Sequence, residues 1–68
     1  MNENNTSTIL GKYNLNIGDV LVIEHREWRI AEERNQEVIL YREGIDGSSR
    51  IYALSEDLLI KILEDQPR

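Results

Sequence analysis

Few side chains in this chain could do chemistry: one histidine, His25; two adjacent serines, Ser48 and Ser49; and two neighbouring acidic pairs, Glu32-Glu33 and Glu64-Asp65. Nucleophilic catalysis needs a nucleophile, a positioned base and a group that orients the base. His25 stands between Glu24 and Arg26, where the apolar pattern reverses, so it reads as a solvated turn histidine in preference to a pH-sensitive or binding one. The serines follow Gly44-Ile45-Asp46-Gly47, a stretch of strong turn chemistry with no base nearby in sequence. Adjacent residues on a strand point to opposite faces, so Glu32 and Glu33 are poorly placed to share a metal or a proton. The sequence contains no cysteine, no phosphate-cradling glycine loop, no EF-hand loop and no zinc spacing. The expectation is a protein that is not an enzyme and has no metal or cofactor.

Binding chemistry is better represented. Arginines outnumber lysines six to two, and Arg26, Arg29, Arg34, Arg42 and Arg50 all fall in or beside apolar runs. Arginine favours interfaces because its planar fork binds carboxylates or phosphates bidentately and stacks on aromatic rings. Many glutamates share the region, so cross-strand ion pairs on a solvated face are the competing reading. Trp28 alternates in step with Ile30 and reads first as core, with a ligand cage as the lesser reading. Tyr41 and Tyr52 are expected on neighbouring strands, opposite in face to Leu40 and Ile51, where they could pair across the outer surface or cover the second side of a barrel. The candidate partner-binding residues are therefore Arg29, Ile39, Tyr41, Arg42, Arg50 and Tyr52.

The elements that must position them follow from the apolar periods. β-branched and alternating runs predict strands at 20–24, 27–33, 37–43 and 50–54, with His25-Arg26, Asn35-Gln36 and the glycine loop at 44–48 as reversals. The alternation of Tyr13-Asn14-Leu15-Asn16-Ile17 suits an extended segment across the core, which Gly18-Asp19 then turns. Ser55 is a good N-cap with Glu56 and Asp57 in the first turn, predicting a helix at 55–65 with Leu58, Leu59, Ile62 and Leu63 on its buried face. The fold expected is mostly β with one helix: an antiparallel four- to five-stranded meander or small barrel closed by a C-terminal helix. Residues 1–11 read as a polar disordered arm and 12–66 as the single domain. Val20-Leu21-Val22-Ile23 and Val38-Ile39-Leu40-Tyr41 are apolar at consecutive positions, so both faces of those strands call for cover.

A chain of 68 residues without disulfides lies at the low end of sizes that fold alone, which favours self-association or a partner. The start, Met-Asn-Glu-Asn-Asn-Thr-Ser-Thr, lacks the basic and apolar regions of a secretory signal, and no run could span a bilayer, so a cytoplasmic location is expected. A net charge of −5 disfavours non-specific nucleic-acid binding, which rests on Lys and Arg releasing counterions.

The order Gly18-Asp19-Val20, Trp28-Arg29-Ile30, Val38-Ile39-Leu40 and Ser55-Glu56-Asp57-Leu58 resembles the small Src-homology-3-like β-barrels of bacterial proteins, including those accompanying Mu-type transposases. The resemblance implies a barrel that binds a peptide or nucleic acid as an accessory to larger machinery, although the acidic balance departs from the nucleic-acid-binding members. Two functions are expected from these readings. The first is a protein-binding module, with a homodimer as one form of it, of the sort a phage or mobile element uses to regulate or inhibit a host complex; in a sharper version its acidic face imitates nucleic acid. The alternative is a nucleic-acid-binding barrel with an arginine and tyrosine face.

Overall fold

The computed structural model describes residues 8–67, so the arm expected at the extreme N-terminus falls, over residues 1–7, outside the described residues. The rest of that expected arm is not an arm. A helical turn, α1 (Ile9–Lys12), starts from the Thr8 cap, whose Oγ1 accepts the Gly11 N–H at 3.0 Å, and its Ile9 is buried in the core. Four strands follow, β1 (Val20–Ile23), β2 (Arg26–Arg34), β3 (Glu37–Glu43) and β4 (Ser49–Leu54), and then a helix, α2 (Glu56–Glu64). The strands form one antiparallel sheet in sequence order. It is a meander that does not close: β1 and β4 are its two edges.

The turns explain the register. Glu24 and His25 both have positive φ, 51° and 70°, and so do Asn35 and Gln36, at 53° and 66°. Two consecutive positive φ values are what a type I′ hairpin requires, because its twist matches that of the strands it joins. The first reversal is thus Glu24-His25, one residue earlier than the expected His25-Arg26, and Ile23 pairs with Arg26. No strand forms over residues 13–17. Instead Tyr13 ends α1, and Gly18, at φ 94°, turns the chain so that its N–H donates to the Ile30 carbonyl while the Asp19 carbonyl accepts from Ile30 N–H.

One face of the sheet and the two helices build the core: Leu21, Ile30, Val38, Leu40 and Leu54 from the strands, Ile9 from α1 and Leu59 from α2. A bulge between Ile30 and Glu32 sets the geometry at the α1 end. An extra residue in a strand shifts the alternation of faces, so Glu33, partnered with the buried Val38, turns to the helix side. There its two carboxylate oxygens accept the Ile9 and Leu10 N–H groups, each at 3.1 Å. These are free donors of the first helical turn, and the carboxylate replaces the water they would otherwise need.

α2 starts as its sequence predicts, with Ser55 Oγ accepting Leu58 N–H and two acids in the first turn. Leu58 departs from the expected buried face and is 44% exposed, leaving Leu59, Ile62 and Leu63 to pack. The two helices are joined by Glu56, whose Oε2 accepts from Lys12 Nζ at 2.8 Å and Tyr13 OH at 2.6 Å. Those bonds, Lys12 first, hold the Glu56 carboxyl below its usual range, while Glu56 raises the Lys12 ammonium and the Tyr13 phenol. Just beyond α2, the Gln66 amide lies against the free edge of β1. Its Oε1 accepts Val22 N–H, and its Nε2 donates to the Val22 carbonyl, both at 2.8 Å.

Candidate binding surfaces

Register decides which side chains share a surface. Val20 pairs with Arg29, Arg29 with Tyr41, Tyr41 with Ile51, and Ile39 with Ala53, so all of these stand on the face opposite the buried Leu21, Ile30 and Leu40. Both helices place their buried residues on that other side. Among the described residues, the outer face is therefore a sheet surface without a covering layer, and its apolar residues show it: Ile51 is 64% exposed and Val20 41%. Ile39 and Tyr41 are half-buried because they stand on an interior strand with neighbours on both sides. Glu27, Glu32 and Glu43 fall on the same face by their pairing with Val22, Ile39 and Ser49. The result is an apolar strip crossed by Arg29 and rimmed by carboxylates.

The helix side carries a second surface where α2 no longer covers it. Arg42 and Arg50 are direct cross-strand partners, and Arg26, partnered with Ile23, faces the same way. The registered pairing of β2 with β3 stops at Arg29 and Tyr41, and beyond that point a depression lies beside the 44–48 loop. Arg26, Arg42, Gly44, Asp46 and Arg50 line it. The Arg42 guanidinium lies over the Trp28 ring, 5.1 Å from its centroid, and Trp28 meets Tyr52 edge-on at 5.5 Å. Gly44 sits close against the lining: a Cβ there would stand 3.1 Å from Arg50 Nε and 3.0 Å from Asp46 Oδ1, so those side chains would have to give way. Asp46 accepts from both Ser48 Oγ and Ser48 N–H, which hold its carboxyl below its ordinary value.

The six residues selected by sequence thus divide. Arg29, Ile39 and Tyr41 are brought together on the outer face, whereas Arg42, Arg50 and Tyr52 stand on the helix side. The proposed pairing of Tyr41 with Tyr52 does not occur: Tyr41 opposes Ile51 and Tyr52 opposes Leu40. Ile51, Val20 and Ala53 on the outer face and Arg26 at the arginine end were not among the six. Counting pairs outward from a five-residue 44–48 loop would have found Ile51 opposite Tyr41. His25 is exposed in its turn, and Ser48 is committed to Asp46.

No family model, curated protein or solved structure matches the chain. Among the described residues, no cluster of three or more His, Asp or Glu could hold a metal ion, and no helix is long and apolar enough to cross a membrane.

Proposed function

We propose that the protein is a non-enzymatic binding module that docks on protein through the outer face of its sheet, and that its first partner is a second copy of itself. The observation that carries this reading is the bare apolar strip of Val20, Ile39, Tyr41, Ile51 and Ala53, with Ile51 64% exposed. Contiguous apolar surface on a small protein is a contact site or an aggregation liability. The charges on this face support a copy as occupant: a two-fold axis sets the Arg29 of one copy toward the glutamate rim of the other, and each copy supplies both signs.

The size of the face bears on affinity. Four strands about 4.8 Å apart and about 20 Å long present about 400 Å² per copy, so a pair buries less than the ~1,200 Å² of a standard interface. The dimer is accordingly weak and in exchange with monomer, and a module of this kind acts by occupying or blocking a surface, not by turnover. Sedimentation equilibrium over a wide concentration range tests the reading. The wild-type chain is expected to move from monomer to dimer, and Ile51→Glu to stay monomeric while retaining its helix and sheet signals. A wild-type chain that is monomeric throughout overturns self-docking. A dimer that Ile51→Glu leaves intact places the contact elsewhere.

The nucleic-acid alternative fares less well on geometry. Its arginine and tyrosine face is split between two sides of the sheet, Arg29 and Tyr41 stand among glutamates, and one face of the Trp28 ring is already occupied by Arg42.

A further inference from the structure

The arginine end of the helix side breaks a rule of sheet construction. Like charges directly opposite on neighbouring strands repel, yet Arg42 and Arg50 are direct partners and Arg26 joins them at the same depression. The sequence has 13 carboxylates with which to neutralise them. The ion pairs among the described residues are Lys12 with Glu56 and Arg34 with Glu32, and neither involves this trio. Moreover, Arg42 Nε is buried and has no hydrogen-bond acceptor. Stacking on Trp28 holds the guanidinium plane in place, but it gives the Nε–H no acceptor. A local conflict that the fold leaves uncompensated is the mark of a site shaped for something else.

We infer that Arg26, Arg42 and Arg50 form a binding site for the phosphate group of a small multiply charged ligand. Three guanidiniums supply more positive charge and more donors than one carboxylate could use, whereas a phosphate dianion accepts from several forks at once. Gly44 keeps the floor open, since any side chain there would meet Arg50 and Asp46. Asp46 is the one acid lining the depression, and its repulsion limits affinity. Arg26 and Arg42 also border a depression with Val20, Glu27, Arg29, Tyr41 and Glu43 of the outer face, whereas Ile51 lines neither depression, so Ile51→Glu separates this site from dimer formation.

Trp28, the only tryptophan in the sequence, lies under Arg42 and reports on the site by its fluorescence. Titration with pyrophosphate at constant ionic strength is expected to give a saturable change in the millimolar range or tighter, with inorganic phosphate weaker. The exposed double variant Arg26→Gln, Arg50→Gln is expected to weaken it at least about tenfold, a loss of roughly 1.4 kcal/mol. Asp46→Asn, which keeps an acceptor for Ser48, is expected to tighten it several-fold. Ile51→Glu, on the other face, is expected to leave it unchanged. No saturable response, an equal response to acetate, or an unchanged response in the double variant overturns the site. Far tighter binding of a single-stranded oligonucleotide than of pyrophosphate overturns the small-ligand assignment in favour of a nucleic acid.

Discussion

At the scale of single residues, the structure relies on side chains in positions that propensity alone would not give them. His25 occupies a left-handed backbone conformation that suits glycine, with Glu24 beside it in the same region. Such a conformation costs an L-residue about 1–2 kcal/mol, part of which a glycine returns as unfolded-state entropy. His25→Gly is therefore expected to stabilise the chain by about 0.5–1 kcal/mol, read as a higher urea midpoint with an unchanged slope. Glu56 makes a second prediction. Its folded carboxyl is held below the ordinary value by Lys12 and Tyr13, so its contribution is complete above the ordinary carboxylate range and is lost as pH falls through the lowered folded value. Glu56→Gln should be less stable than the wild type at neutral pH and should converge with it in acid, as measured by urea midpoints across the pH range. Little of this was legible in sequence. Ser55 announced itself as a cap, but nothing in the residue types linked Glu56 to Lys12 and Tyr13, 44 and 43 positions away.

At the scale of elements, periodicity located all four strands and α2, because alternation and capping are local signals. It missed what depends on a contact made across the chain. α1 is four residues long, too short for a helical period to show, and it exists because Glu33 caps it and Ile9 is buried. The Glu33 cap in turn depends on the bulge, which sequence does not mark and which decides the face Glu33 takes. The edge of β1 follows the same logic. An unprotected strand edge offers unpaired N–H and C=O groups to another chain, and here the Gln66 amide supplies both partners to Val22. Gln66→Ala is expected to speed hydrogen exchange at the Val22 amide by tenfold or more, the loss of roughly 1.4 kcal/mol of local protection. Exchange at Val38 and Leu40 in the sheet centre should change little.

For the molecule as a whole, the consecutive apolar positions of β1 and β3 carried the most useful sequence signal. They required cover on both faces, and the structure supplies it on one: two helices close the inner side, the sheet stays open, and Val20 and Ile51 remain exposed on the other. A barrel, which would have hidden that face within one chain, does not form. The candidate site was legible as a set of residue types and wrong in its grouping, because the side of each residue depends on hairpin register, which shifts with the length of the 44–48 loop. The expected 44–48 loop is the one that forms, and across it Tyr41 opposes Ile51 while Tyr52 opposes Leu40. The most direct test of outer-face docking is to follow backbone amide resonances as the protein concentration is raised. Concentration-dependent shifts confined to Val20, Arg29, Ile39, Tyr41, Ile51 and Ala53 are the expected result. Shifts centred on α2, or none at any concentration, would contradict it.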